Sequence, residues 1–376
     1  MPPSPDDDAV AMTTDLHPDL TRALRRKLLQ WFRRHKRDLP WRRTDDPYRI
    51  WVAETMLQQT RVARVLDFYG PFLKRFPTVR RLAEADLDDV LVAWAGLGYY
   101  GRARNLHRAA RAVIRDYRGR LPRSVAALRA LPGVGRYSAG AVASIAFGAP
   151  APVVDGNVAR VLCRLFAIRR PPATADVKET LWSLAGALVS RRSPGNFNQA
   201  MMELGATVCT PANPHCSACP VRDHCEARRL GLEGRLPASR PRRAVPHYDV
   251  VVAVIRRGER VLVTKRPPVG LLGGLWEFPG GKRERGESDA AALRREIREE
   301  LGVTVRVGRS LCTVKHAYTH FRVTLHAHAC TIRSGRPRPI TGDALRWVTA
   351  DELRRLALPA ATVRILDAIG LAPRRP

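Results

Sequence analysis

Cys209, Cys216, Cys219 and Cys225 follow the spacing C-x6-C-x2-C-x5-C, and this cluster limits the fold more tightly than any other feature of the chain. Four thiolates packed this closely converge on one metal centre, and an all-cysteine set of four suits either a zinc ion or an iron–sulfur cubane. Structural zinc commonly uses two separated C-x2-C knuckles, whereas this set holds one such pair. The first residues, Met1 to Val10, are Pro- and Asp-rich without an apolar leader. A long chain of that kind with 7 cysteines points to a reducing interior, so the clustered cysteines suggest metal rather than disulfides. Cys163, Cys312 and Cys330 are scattered and read as small buried side chains. His215 and His224 lie inside the loop and read as solvated, because four thiolates already complete a site.

A chain of 376 residues is too long for one ordinary compact domain, and two or three are expected. Its formal net charge of +30 favours a polyanionic partner, since Lys and Arg release counterions condensed on phosphate backbones. A coding bias towards Arg would leave the same excess, so charge alone does not decide the matter. The longest apolar stretch, Ala139 to Val154, contains Ser144, Gly148, Pro150 and Pro152, which argues against a membrane-spanning helix.

The hydrophobic pattern changes along the chain. Residues 16–205 read mainly as amphipathic helices, with Leu24, Leu28, Leu29 and Phe32, and later Leu106, Ala110 and Val113, at helical spacing, and with the cysteine loop they make a domain over 16–230. Residues 1–15 are expected to be flexible, and 231–246, which includes Arg240, Pro241, Arg242 and Arg243, to be a linker. Over 247–370, β-branched runs (Tyr248 to Ile255, Val261 to Val263, Phe321 to Ala329) surround a single predicted helix near Ala290 to Leu301. The fold class is therefore multidomain: an all-α domain with a cysteine loop at 209–225, then an α+β domain.

Leu131-Pro132-Gly133-Val134-Gly135 is a Gly-rich turn before a small-residue helix starting near Tyr137. Glycines let backbone N–H groups approach a phosphate, and the helix N-terminus favours its charge. Alone such a turn is weak, but Asp155-Gly156-Asn157 and the cysteine loop follow it. Together these resemble the helix-hairpin-helix DNA glycosylases of the endonuclease III superfamily, whose iron–sulfur loop has this cysteine spacing. Within that superfamily the chain resembles the adenine DNA glycosylase (MutY) family. The resemblance rests on Leu39-Pro40-Trp41-Arg42, Glu54-Thr55-Met56-Leu57-Gln58-Gln59-Thr60, Gly96-Leu97-Gly98-Tyr99-Tyr100, Val154-Asp155-Gly156-Asn157 and Phe197-Asn198-Gln199-Ala200-Met201-Met202. It implies a [4Fe-4S] cluster on the four cysteines and base excision repair as the function.

Position 137 bears on the type of reaction. Bifunctional lyases of endonuclease III type carry a Schiff-base Lys there, and Tyr137 cannot form an imine. Glu54 sits among Ile50, Trp51 and Leu57, and such surroundings raise a carboxylic acid's pKa towards working pH. The resemblance gives Glu54 the role of acid and Asp155 that of the carboxylate facing the sugar cation, with Tyr137 and Asn157 positioning them. It places Arg37, Leu39, Trp41, Arg42 and Glu203 at the adenine pocket, Gln58, Gln59 and Tyr99 as wedge and gap-filling residues, and Leu131, Gly133 and Gly135 on the DNA backbone. It also implies a monomer in the cytoplasm, at the nucleoid, acting on duplex DNA with adenine opposite 8-oxoguanine or guanine and needing no membrane.

The C-terminal part resembles the Nudix-fold module that reads oxidised guanine in this family, with His316, Tyr318, Thr319 and His320 in the recognition loop. Unexpectedly, Gly281-x5-Glu287-x7-Arg295-Glu296-Ile297-x-Glu299-Glu300-x-Gly302-Val303 is a complete Nudix box. Glu296, Glu299 and Glu300 fall within about one helical turn, a donor set suited to Mg²⁺. In this family the box is usually degraded, so an alternative stays open: a bifunctional protein that also hydrolyses oxidised nucleoside triphosphates.

Overall fold

The structure, a computed structural model, describes residues 16–238, 245–318 and 320–371. The expected flexible segment 1–15, positions 239–244 of the expected linker, and Thr319 lie outside the described residues. The helical portion runs through α1 (Pro18–His35), α2 (Pro47–Leu57), α3 (Val62–Arg75), α4 (Val79–Glu84), α5 (Leu87–Trp94), α6 (Gly101–Tyr117) and α7 (Val125–Arg129). It continues with α8 (Arg136–Phe147), α9 (Gly156–Leu165), α10 (Ala175–Leu188), α11 (Pro194–Thr207) and α12 (Glu226–Arg229). The strands are β1 (His247–Arg257), β2 (Arg260–Lys265), β3 (Trp276–Glu277), β4 (Gly280–Lys282), β5 (Thr304–Ala317), β6 (Arg322–Ser334) and β7 (Ala344–Val348). Helix α13 (Asp289–Leu301) lies between β4 and β5, and α14 (Ala350–Leu353) and α15 (Ala360–Ala368) follow β7.

The chain forms two compact units that do not follow its linear order. The first takes residues 16–62, 78–80 and 109–238; the second takes 63–77, 81–108 and everything described from 245 onward. Two helical stretches from the expected all-α region thus group with the C-terminal strands.

In the first unit, Leu24, Leu28 and Phe32 recur every four residues and lay one apolar stripe of α1 into the core. That core also takes Val158, Val161 and Leu162 of α9 and Phe197, Met201 and Leu204 of α11. Ala139, Ala141, Val142 and Ala143 bury α8 closely because their side chains are short. Gly140 is required there, since a Cβ would run into the Pro152 carbonyl. Truncating one of the large core residues to Ala would cost about 2–5 kcal/mol.

In the second unit the sheet has the order β3-β2-β1-β6-β5, with β4 beside β1 and β7 beside β2. The long strand β1 runs parallel to β6 and turns antiparallel to β2 at Arg256 and Arg257. Successive side chains of a strand point to opposite faces. Val251, Ala253 and Ile255 accordingly join Leu293 and Ile297 of α13, while Val252 and Val254 join Leu353, Ile365 and Leu366. Sequence periodicity finds α13 but not α14 and α15. These are too short to show a period, although Thr349 and Glu352 form a reciprocal capping box at the start of α14. Among the described residues no helix is long and apolar enough to cross a membrane.

Candidate active site

Helix α2 is apolar nearly all round, with Ile50, Trp51, Val52, Ala53 and Met56 buried, so Glu54 has no solvent-facing option and is 4% exposed. The Tyr137 hydroxyl donates to Glu54 Oε2 at 2.8 Å and lies 3.2 Å from Met202 Sδ. Burial pushes the Glu54 pKa up to about 7; the Tyr137 hydrogen bond and Arg42 offset part of this, and the charge of Asp155 adds to it. A shift of that size disfavours the ionised form by roughly 3 kcal/mol relative to water. The same burial, with the two carboxylates nearby, drives the Tyr137 phenol well above its usual range, so it stays a proton donor to Glu54.

Asp155 is the N-cap of α9. Its Oδ1 accepts the Val158 N–H at 2.7 Å and its Oδ2 accepts from Asn157 Nδ2 at 3.0 Å. Burial raises its pKa, and those hydrogen bonds and Arg160 pull it back. Arg160 Nη2 donates to Asn157 Oδ1 at 2.9 Å and to the Gly205 carbonyl at 2.7 Å, while its Nε donates to the Cys209 carbonyl at 2.8 Å. Gly205 has no room for a side chain, because a Cβ would collide with Asn157.

Glu54, Tyr137, Asp155 and Asn157 line one cavity of about 140 Å³ together with Arg37, Leu39, Trp41, Arg42 and Glu203. Glu203 is 1% exposed yet ionised. Burial would push its pKa up, but Arg37 and Arg42 hold it down at about 2. Arg37 Nε and Nη2 donate to its two oxygens at 2.8 Å each, and Arg42 Nη2 donates to Oε2 at 2.8 Å. Arg42 Nε also reaches Gln199 Oε1 at 3.2 Å. Leu39 and Trp41, both buried, supply the apolar wall.

Next to this cavity lies an open groove of about 1100 Å³ lined by Gln58, Gln59, Gly133 and Gly135 and by the cations Arg61, Arg129, Arg136 and Lys178. Gln58 Nε2 donates to Ser138 Oγ at 2.9 Å. Gln59 has a φ of +56°, and Gly133, at +73°, makes the tight turn into α8. Leu131 is 4% exposed, so its side chain belongs to the core and its backbone to the turn. Tyr99 belongs to the second unit, where it is 39% exposed with a φ of +48°.

Between Cys209 and Cys225 the backbone makes two single 3-10 turns, at Cys216–Ala218 and Arg222–His224. All four thiols are free of disulfides, and Cys219 feels the charges of the other three. Among the described residues, no three Cys, His, Asp or Glu side chains close up as a single-ion site would. Four free cysteine thiols are the donor chemistry that a [4Fe-4S] cubane takes. Arg164, 2% exposed, holds the loop by donating to Cys209 Sγ at 3.3 Å, the Thr210 carbonyl at 2.7 Å and the Pro211 carbonyl at 3.0 Å. His215 is exposed and His224 half-buried; Cys163 and Cys330 are buried, and Cys312 is half-buried.

In the second unit, His316 sits edge-on to Tyr318 at 4.5 Å, and Tyr318 stacks on Phe321 at 4.7 Å. His320 is exposed. In the Nudix box, Arg295 ties Glu287, Glu296 and Glu299 together, at 2.9, 2.9 and 3.5 Å. Glu300 instead accepts the Gly280 N–H at 3.1 Å, and burial pushes its pKa up to about 7, with Glu277 and Glu296 adding to the shift.

Gln199, Met202, Ser138 and Arg160 were given no site role from the sequence, although Gln199 and Met202 lie in a segment that carries the resemblance. Gln199, Met202 and Glu203 are spaced i, i+3, i+4 on α11, and Arg160 lies three residues after Asn157 on α9, so helical spacing carried the signal.

Comparison with known proteins places this geometry. Residues 52–186 match the family described as HhH-GPD superfamily base excision DNA repair protein, and residues 250–368 match the NUDIX domain. The chain is 38% identical to the adenine DNA glycosylase of Homo sapiens over 91% of its own length and 73% of that protein. It is 36% identical to the adenine DNA glycosylase of Arabidopsis thaliana over 92% of its length and 64% of that protein. Among solved structures, a thermostable thymine-DNA glycosylase aligns with 56% of this chain and 98% of its own, at 30% identity and a TM-score of 0.51. A trapped endonuclease III–DNA covalent intermediate aligns with 58% of this chain and all of its own, at 25% identity and a TM-score of 0.50. With likeness extending over both the helical and the Nudix-type parts, the chain belongs to the adenine DNA glycosylase family.

Proposed function

We propose that the chain is a monofunctional adenine DNA glycosylase of base excision repair, acting as a monomer on adenine opposite 8-oxoguanine or guanine in nucleoid DNA. The observation that carries this reading is a buried Glu54, tuned to about 7 and hydrogen-bonded to Tyr137, in one cavity with Asp155. A general acid works best with a pKa near the operating pH. Glu54 protonates N7 of an extruded adenine, and the C1′–N9 bond breaks with its electron pair leaving on the base. Asp155, as carboxylate, stabilises the oxocarbenium-like sugar or adds to it transiently, and water completes the hydrolysis. Asn157 and the Val158 N–H keep Asp155 aimed and favour its carboxylate form against burial. Tyr137 offers no amine for an imine, so the strand is not cut by a lyase step.

Adenine in a duplex is out of reach and must be flipped. The cationic groove suits the phosphate backbone, Gly133 and Gly135 suit close backbone approach, and Gln58, Gln59 and Tyr99 serve as wedge and gap fillers. Opposite the adenine, His316, Tyr318, Thr319 and His320 read the oxidised guanine, whose N7–H and C8 oxygen set it apart. Cys209, Cys216, Cys219 and Cys225 would hold a [4Fe-4S] cluster, which when bound cross-links a loop poor in regular structure. The nucleotide-hydrolase alternative is not favoured, because the relatives alike over both parts of the chain are adenine DNA glycosylases. A Mg²⁺ site on Glu296, Glu299 and Glu300 has no further support.

Excision assays on duplexes carrying A opposite 8-oxoguanine, A opposite G and T opposite G test the reading. Adenine release from the first two, with no strand cleavage before alkali, is expected. Thymine release, or cleavage without alkali, would overturn it.

A further inference from the structure

The loop Gly96–Tyr100 lies between α5 and α6, two helices that group with the C-terminal strands. Its exposed residue, Tyr99, is held in a left-handed conformation, and Gly96 (φ +107°) and Gly98 (φ +72°) precede it with positive φ of their own. A non-glycine residue there costs about 1–3 kcal/mol and persists only where its surroundings over-determine it. Those surroundings are on view. The Arg102 guanidinium lies 5.5 Å from the Tyr99 ring centre and 5.4 Å from that of Trp94, and donates to the Leu97 and Gly98 carbonyls at 3.3 and 3.1 Å. Trp94 Nε1 donates to the Gly98 carbonyl at 3.1 Å.

The base of the loop is fastened to the Nudix-type module at three points. The Tyr100 hydroxyl, buried, donates to the Leu358 carbonyl at 3.3 Å. Arg104 Nη1 donates to the Gly273 carbonyl. Lys265 on β2 pairs with Asp88 on α5 at 2.7 Å, with the two side chains 18% and 37% exposed. Gly274, at φ +76°, closes the contact, since a Cβ there would lie 3.3 Å from Leu91. These four contacts fall on β2, the β2–β3 loop and the segment before α15, none of which carries the recognition residues.

We propose that the Nudix-type module positions the wedge as well as reading the opposite base: Tyr100, Arg104 and the Asp88–Lys265 pair are positioning residues that hold Tyr99 ready to enter the duplex. The proposal rests on the reading of Tyr99 as a wedge. Strand opening then depends on the C-terminal module even where no oxidised guanine is present.

The test uses the full chain and a duplex with 2-aminopurine in place of the target adenine opposite guanine, following its fluorescence rise as the base is extruded. Lys265→Met and Tyr100→Phe are expected to slow extrusion roughly 3- to 10-fold, the size set by losing one half-buried pair or hydrogen bond. Their affinity for the same duplex should stay within about twofold, and the exchanged pair Asp88→Lys with Lys265→Asp should recover most of the rate. A merely structural role would lower the thermal midpoint and affinity together, without recovery on exchange, and that result would overturn the proposal. So would wild-type extrusion by Lys265→Met and Tyr100→Phe alongside slow extrusion by Tyr99→Ser. Wild-type extrusion by Tyr99→Ser would instead bring down the wedge reading beneath it.

Discussion

Glu54 and Glu300 are both pushed up to about 7, by burial first in each case, yet their surroundings differ in kind. Around Glu54 the strong cations are already spent on another acid: Arg37 and Arg42 hold Glu203 at about 2. Arg42 offsets the Glu54 shift only in part, and the hydrogen bond Glu54 accepts comes from the Tyr137 hydroxyl, in a cavity it shares with Asp155. Glu300 is bonded to a backbone N–H, and Arg295 pairs with the neighbouring carboxylates of its helix, Glu296 and Glu299. A raised pKa is thus common to a proposed catalytic acid and to a fold-bound carboxylate. The partners tell them apart, since Glu300 lines a cavity too, one of about 240 Å³ shared with Glu277.

The comparison can be broken at its strongest point first. Glu203→Gln leaves Arg37 and Arg42 beside a neutral group, and removing one partner of a buried pair costs about 3–5 kcal/mol. Urea denaturation should show that loss, with excision falling as the apolar wall of the cavity shifts. A cost under about 1 kcal/mol would mean the cations are not committed to Glu203.

Glu54→Gln should act in the opposite direction. The folded-state pKa of Glu54 lies above its ordinary 4.5, so the stability it contributes is complete below about 4.5 and is lost as pH rises through about 7. Near pH 8 the substitution should therefore stabilise the protein by about 2–3 kcal/mol, and the gain should vanish towards pH 5. Thermal midpoints at the two pH values would reveal a gain of the wrong sign or one independent of pH.

The smallest effect is expected at the other glutamate. Glu300→Gln keeps an acceptor for the Gly280 N–H, and single-turnover adenine excision should change by less than about twofold. A larger loss would give the Nudix helix a part in excision that the comparison denies it.

Much of the site was legible in the sequence. The apolar neighbours of Glu54, the Asp155-Gly156-Asn157 segment and the cysteine spacing are local patterns, and local patterns survive without coordinates. The expected pocket residues Arg37, Leu39, Trp41, Arg42 and Glu203 do line one cavity. What sequence did not reveal are bonds across long separations. Arg37 and Arg42 meet Glu203 from the other end of the helical region, and Arg160 ties Asn157 to the Cys209 carbonyl. No periodicity encodes such meetings, because each depends on how α1, α9 and α11 pack. The grouping of 63–77 and 81–108 with the C-terminal strands was hidden for the same reason. It is made by single contacts such as Lys265 with Asp88 and Tyr100 with Leu358.

The most direct measurement of the central claim is the single-turnover rate of adenine release from an A:8-oxoguanine duplex as a function of pH, for the wild-type chain and for Glu54→Gln. With Glu54 as the acid, the wild-type rate should fall about tenfold per pH unit above about 7. Glu54→Gln should bind the duplex yet release adenine at least about 10²–10⁴-fold more slowly at every pH. A wild-type rate flat from about pH 6 to about pH 9, or near-normal excision by Glu54→Gln, would contradict the account.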